Sequence, residues 1–316
     1  MPYQDVWVAG KTRTVGSRHC AARYAMFEEI VKQFNRPISL LDLGANQGYF
    51  GLRMAYEHRA TSVMVDGQEA LIRNVAANAL PNTIAVKKRF TVDQLETWSK
   101  AEHFDVVLCL NVLHHFKDDY ARAVKAVLNF GEHIIIETPA KNETAVFNPE
   151  VAPKLVQLFE AENPDRLLGY APSFASKKVR RPIYYFYRRK KQLEISYHKP
   201  SRKHEARPNK HTIVSTFDKK RMTIPVKGDS HKWIHGMNLQ NFIMWGGGYP
   251  SKKAIIRMVR KAVAEKDQHH GDIRPWNFIL AGDRVHLIDW TDRRNVHQDD
   301  EGLEKTIAMI EKGLKR

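Results

Sequence analysis

Leu40-Leu41-Asp42-Leu43-Gly44-Ala45-Asn46-Gln47-Gly48-Tyr49-Phe50 is an apolar strand that runs into a glycine turn and out into a helical pattern. Glycine in such a turn lets the backbone bend, and lets a ligand approach, where a Cβ would stand in the way. The chain on either side repeats the alternation. Helical spacing at 21–33 precedes the strand at 38–43, and helical spacing resumes at 50–58. Strands follow at 62–65, 83–86, 104–110 and 133–137, with helices at 68–79 and 120–128 between them. Near-continuous apolar strands separated by helices predict a parallel sheet covered on both faces, an α/β layer of Rossmann-like type. Ligands of such sheets sit beyond the carboxyl ends of the strands, so the residues just after each strand are the first candidates for function.

Composition narrows the field. With 316 residues the chain is long for one domain and suits two. Its 43% of hydrophobic residues can fill a real core, which excludes a disordered chain. No apolar run approaches the roughly 18 residues of a membrane span, and the opening MPYQDVWVAG lacks the pattern of a secretory leader. The two cysteines, Cys20 and Cys109, make no disulfide framework, and the chain reads as cytoplasmic. The formal charge of +16 favours an anionic partner: nucleic acid, phosphorylated glycan, or an acidic membrane surface touched peripherally. Much of that charge is local. Residues 177–211 hold 13 Lys or Arg and only two acids. Pro200 and Pro208 punctuate the stretch, so 191–212 is taken as a basic linker between domains at 1–190 and 213–316.

Two further motifs accompany the glycine turn. Val63-Met64-Val65-Asp66 is a strand ending in an acid, 22 residues after Gly44. An acid there can accept both ribose hydroxyls of a nucleoside. Phe104-Asp105-Val106-Val107-Leu108-Cys109-Leu110-Asn111-Val112-Leu113-His114-His115-Phe116 is the fourth strand and the loop beyond it. The three segments, in this order and spacing, resemble class I S-adenosylmethionine (SAM) dependent methyltransferases. The dinucleotide spacing G-x-G-x-x-G, which would point to NAD, is missing. The resemblance implies that Asp42, Gly44, Ala45, Asn46 and Gly48 hold the methionine part of SAM. It places Asp66 on the ribose, Gly67 and Gln68 near the adenine, Asp93 at its amino group, and Asn111 along the pocket. His114 and His115 stand where such enzymes face their substrate; a histidine there can take a proton or, when charged, hold an anionic oxygen. Arg18 and Arg23, before the first long strand, can cover the cofactor and reach its carboxylate.

The tail carries a second constellation. His270-Gly271-Asp272-Ile273-Arg274-Pro275-Trp276-Asn277 is followed by Val285-His286-Leu287-Ile288-Asp289-Trp290. It resembles the catalytic loop and metal-binding segment of protein-kinase-like and aminoglycoside-phosphotransferase-like enzymes. That likeness implies Asp272 as the group that accepts a hydroxyl proton, and Asn277 and Asp289 as ligands of Mg2+ that carries ATP. The glycine-rich phosphate loop and paired lysine of such enzymes are not found, so the expectation is a reduced kinase-like unit.

Methyltransferase first and kinase-like unit second is similar to the bifunctional methyltransferase–kinases that terminate bacterial O-antigen chains. Shared features include Cys20–Arg23, 41–48, the His114-His115-Phe116 turn, Arg181-Pro182-Ile183-Tyr184 and Arg274-Pro275-Trp276-Asn277. In that family the kinase phosphorylates a terminal sugar and the methyltransferase methylates the phosphate. The likeness implies an anionic acceptor, a phosphorylated glycan or lipid-linked saccharide, with nucleic acid as the alternative. The measuring coiled coil of that family has no counterpart in the short helix at 303–314.

Overall fold

The computed structural model describes residues 2–18, 20–144, 148–173, 178–188, 223–226, 229–232, 234–265, 270–288 and 298–314. A hairpin of β1 (Val6–Val8) and β2 (Lys11–Thr14) leads to α1 (Cys20–Lys32). The alternation follows: β3 (Ser39–Leu43), α2 (Tyr49–Glu57), β4 (Thr61–Asp66), α3 (Glu69–Asn78), β5 (Thr83–Lys87), α4 (Val92–Ser99), β6 (Phe104–Leu110), α5 (Tyr120–Asn129) and β7 (Gly131–Glu137). After α6 (Ala152–Ala161), β8 (Arg166–Pro172) and β9 (Arg180–Tyr187) fold back antiparallel. The later part holds a hairpin of β10 (Thr223–Val226) and β11 (Asp229–Lys232). Then come β12 (Met237–Asn238), α7 (Leu239–Met244), β13 (Gly248–Tyr249), α8 (Lys252–Ala264), β14 (Phe278–Ala281), β15 (Arg284–Leu287) and α9 (Gln298–Gly313).

The central sheet runs β13-β5-β4-β3-β6-β7-β9-β8, with β5, β4, β3, β6 and β7 parallel. The order starts at β3 and moves outward through β4 and β5, then jumps back to β6 on the other side. The reversal opens a crevice at the carboxyl ends of β3 and β6. Successive side chains of a strand face opposite ways, and each face here has its own core. Leu40, Met64, Val106, Leu108 and Ile135 pack with α1, α2 and α3. Leu41, Val63, Val65, Val107 and Ile134 pack with α4, α5 and α6. That two-sided burial is why these strands read as unbroken apolar runs. Helix α4 begins at a capping box in which Thr91 accepts from Gln94 N and the Gln94 side chain accepts from Thr91 N.

The C-terminal segment continues the second core. Met237, Phe242, Trp245, Ile255, Phe278 and Ile310 join the same cluster as Trp98 and Phe130. Phe90 is wedged between Trp98, stacked at 5.1 Å, and Trp245, edge-on at 5.0 Å. β13 pairs antiparallel with β5 and so supplies an edge strand of the sheet, entered through a turn at Gly246 and Gly247. β12, β14 and β15 form their own antiparallel sheet. The linker 191–212 lies outside the described residues.

Candidate functional site

Gly44 N and Ala45 N both donate to Val65 O, at 2.9 and 3.0 Å, and so pin the turn after β3 to the end of β4. Gly44 has φ 74°, and a Cβ there would lie 2.1 Å from Val112 Cγ2, so the loop after β6 can close on the turn only over a glycine. Asn46 and Asn111 also hold left-handed backbone, with φ 55° and 63°. Asparagine tolerates this conformation better than other residues with a Cβ, so both turns can bend tightly at the strand ends. Asp66 accepts from Asn46 N and Gln68 N, each at 2.9 Å, which fixes its carboxylate beside the turn. Arg89 lies across Gly67, where a Cβ would meet its Cγ at 2.5 Å. Asp42 is buried beneath, accepting from Gly51 N at 3.3 Å. Burial, aided by repulsion from Asp66, pushes its carboxyl up to about 7.

Three buried polar atoms at these strand ends have no hydrogen-bond partner: Asn46 Oδ1, Asn111 Oδ1 and His114 Nδ1. Such atoms are costly in isolation and are usually paired. A polar ligand with several hydrogen-bonding groups, as SAM is, fits that arrangement.

Sequence reasoning missed the cover of this crevice. Gln4 Oε1 accepts from Gln47 N at 3.4 Å, and Tyr3 Oη accepts from Asn111 Nδ2 at 3.3 Å. The strap is tied down where Ser17 N donates to Pro2 O and Gly16 N donates to Asp5 Oδ1 at 2.7 Å. Nothing periodic announces a strap of this kind; its residues become meaningful only once Gln47 and Asn111 are in place.

Arg18 and Arg23 lie beside the crevice on a partner that the sequence did not suggest. Arg18 Nη2 donates to Glu137 Oε1 at 2.5 Å and Arg23 Nη1 to Glu137 Oε2 at 2.9 Å. Arg18 also stacks over the Tyr3 ring at 5.3 Å. Glu137 is fully buried; burial alone would raise its carboxyl, but Arg23, Arg18 and Arg181 together hold it below its ordinary range. Asp93 is not brought in. It sits in the first turn of α4, its side chain 79% exposed, and pairs with Arg122 at 2.6 Å. Helix α4 turns that carboxylate outward to the surface, where Arg122 of α5 meets it.

His114 and His115 follow β6 with their rings 4.1 Å apart. His114 is buried, and burial with the nearby charges of His115 and Arg181 pushes its imidazole down to about 3. It is therefore neutral near pH 7 and a weak base, unable to hold an anion as a cation. His115 is exposed, its imidazole lowered by partial burial and then by Arg89.

In the tail, Asn277 Nδ2 donates to Asp272 O at 2.8 Å and to Asp272 Oδ2 at 3.2 Å, so these two expected partners do meet. Arg274 Nε lies 3.3 Å from Asp272 Oδ1. Asp299 braces the loop from α9, accepting from His270 N and Gly271 N at 2.7 Å each. Asp289 lies outside the described residues. Among the described residues no helix is long and apolar enough to cross a membrane, and Cys20 and Cys109 are free and buried.

Comparison with known proteins places this geometry. The O-antigen chain terminator bifunctional methyltransferase/kinase WbdD of Escherichia coli is 24% identical over 193 residues, 58% of this chain and 27% of that protein. A second E. coli sequence of the same name is 26% identical over the same length. The match thus spans about a quarter of the length of these curated relatives. A crystal structure of WbdD aligns with a TM-score of 0.49 at 18% identity, covering 98% of this chain and 84% of that one. The N-terminal domain of EvdMO1, solved with SAH and D-fucose, aligns with a TM-score of 0.42 at 17% identity, covering 60% of this chain and 91% of that one. A family model for a methyltransferase domain matches residues 18–189, from Arg18 to just beyond β9. With more than half of its length matched, the chain belongs to the methyltransferase domain family.

Proposed function

We propose that the chain transfers a methyl group from SAM to an oxygen of an anionic acceptor, a phosphorylated glycan or lipid-linked saccharide. The observation that carries the reading is the crevice at the ends of β3, β4 and β6, with its glycine turn, its anchored Asp66 and its unpaired buried polar atoms. Asp42, Gly44, Ala45, Asn46 and Gly48 hold the methionine side of the cofactor. Asp66, Gly67 and Gln68 hold the nucleoside, and Asn111 lines the wall. The cofactor supplies an electrophilic methyl group: the acceptor oxygen forms a bond to its carbon as the carbon–sulfur bond breaks and sulfur keeps the electron pair. The chain contributes alignment, and Tyr3 and Gln4 keep water out. A hydroxyl acceptor must lose a proton, for which His115, the exposed ring of the pair, is the candidate base; a phosphate oxygen needs no base.

The anionic class rests on the formal charge of +16 and on the O-antigen role in the relatives' names. Residues 213–316 form a reduced kinase-like unit behind a basic linker at 191–212. This unit binds Mg2+ and ATP weakly, through Asp272, Asn277 and Asp289, with slow or no phosphoryl transfer. The adjacency of Asp272 and Asn277 supports it. The protein works in the cytoplasm, touching the membrane from its inner face where the acceptor is lipid-linked. Tritiated SAM incubated with the protein and separated glycan, lipid, RNA and protein fractions tests the assignment. Label in glycan or glycolipid is expected. Label confined to RNA would transfer the acceptor to nucleic acid gripped by residues 177–211, and no label together with no SAM binding would end the reading.

A further inference from the structure

Three guanidinium groups meet at Glu137. Besides Arg18 and Arg23, Arg181 places Nη1 3.6 Å from Glu137 Oε1. Their side chains are at most 3% exposed. Two carboxylates, Glu137 and Glu143, pair with these three buried cations. A surplus buried cation is unfavourable unless an anion joins it. Asp42, coupled to Arg23, is only partly ionised near neutrality. SAM does not make up the deficit, because its ammonium and sulfonium outweigh its single carboxylate. The missing charge therefore belongs to the other substrate.

The hydrogen-bonding groups agree. Arg181 is clamped on Glu143, with Nε to Oε2 and Nη2 to Oε1 both at 2.7 Å. Glu143 is itself held by the Ser173 hydroxyl and by Ala140 N. That clamp leaves Nη1 without a hydrogen-bond partner, and Arg18 Nε and Arg23 Nε are likewise buried and unpartnered. Three buried guanidinium N–H groups in one cluster thus lack a partner, and a phosphoryl group brings more acceptor oxygens to such donors than a carboxylate does. The place is right for an acceptor. Glu137 ends β7, next to β6, and its carbonyl accepts from Asn111 N at 2.9 Å. Strands lie about 4.8 Å apart, so the cluster sits one strand from the cofactor crevice. Arg181 is also close enough to depress the charge on His114.

We infer that Arg181, oriented by Glu143 and seated beside Arg18, Arg23 and His114, is the subsite for a phosphoryl group of the acceptor. The inference rests on the methyltransferase reading and assigns the substrate side of that site. It is tested on the full chain by titrating inorganic phosphate, acetate and S-adenosylhomocysteine into the wild type, Arg181→Gln and Arg181→Lys, with calorimetry and thermal shift. Phosphate should bind the wild type, acetate at least ~10-fold more weakly, and Arg181→Lys should lose about 10-fold in phosphate affinity as the Glu143 clamp that orients the remaining N–H is lost. S-adenosylhomocysteine affinity should change by less than about twofold, because Arg181 is assigned to the acceptor and not to the cofactor. Arg181→Lys keeps the charge and remains interpretable where Arg181→Gln does not fold. Wild type that ignores phosphate, variants that bind it equally well, acetate that binds as tightly, or parallel loss of S-adenosylhomocysteine would each overturn the assignment. Failure of the wild type to bind S-adenosylhomocysteine is a separate result that strikes the methyltransferase reading alone.

Discussion

Glu102 is a buried carboxyl at the seam between the methyltransferase sheet and the C-terminal segment, and its titration should be visible in the stability of the whole chain. Its Oε1 accepts from Asn238 N at 3.2 Å and from the Asn241 side chain, and the Trp98 indole also bears on the carboxyl. Burial pushes the carboxyl up to about 8, against the pull of those donors, from an ordinary value of 4.5. The folded chain therefore keeps a proton that the unfolded chain releases. Its contribution is complete below pH ~4.5 and is lost as pH rises through about 8, at up to ~1.4 kcal/mol per unit and a few kcal/mol in all. Glu102→Gln keeps an oxygen for Asn238 and Asn241 but cannot titrate. Urea unfolding at pH 5.5, 6.5, 7.5 and 8.5 should show the wild type losing stability over this range more steeply than the variant, by about 1 kcal/mol per unit up to pH 7.5. Parallel curves for the two proteins would refute the assignment of a neutral, buried Glu102.

Other expectations concern the crevice and the tail. Asp66→Ala removes the acceptor for Asn46 N and Gln68 N along with the proposed ribose contact, and should weaken SAM binding by ~1–3 kcal/mol in calorimetry; an unchanged affinity would remove Asp66 from the site. The carboxyl of Asp42 is raised to about 7, so a cationic ligand must drive it to ionise. SAM affinity should then fall by up to about tenfold per pH unit below 7 and level off above it, and Asp42→Asn should flatten the profile. A flat wild-type profile would show that Asp42 stays protonated and structural. Thermal shift with millimolar Mg-ATP should give a small rise in Tm that Asp272→Asn diminishes. No shift would leave Asn277 as a brace of its loop, whereas rapid ATP turnover lost in Asp272→Asn would make the tail a working kinase.

What was legible beforehand follows from where the signal lies along the chain. β6 was predicted at its observed bounds, and β3 within one residue, because a central strand buried on both faces is apolar at every position. The glycine turn was legible because Gly44 must leave room for Val112. Helix α4 was overlooked although its capping box, Thr91 with Gln94, was available to find it. β13 could not have been read locally: two residues after a glycine run become a strand only by pairing with β5. The Glu137 cluster was beyond reach for a similar reason. Its bonds to Arg18 and Arg23 span 119 and 114 residues, and a buried network of that span leaves no periodic trace.

β5 also sets how the tail can matter to the site. Lys87 N donates to Gly247 O, which ties the end of β5 to the C-terminal segment, and Lys88 N donates to Asp66 O at 2.9 Å. The next residue, Arg89, lies over Gly67 and bears electrostatically on His115. At the other end of the strand, Asp283 N donates to Pro81 O just before β5 begins. The tail thus grips β5 at both ends, and one of those ends borders the crevice at Asp66, the proposed nucleoside contact. A strand whose outer edge would otherwise be open needs such a cover, and closing it here also fixes the position of Asp66 and Arg89. The C-terminal segment is accordingly part of the framework of the site as well as the bearer of its own Asp272–Asn277 pair.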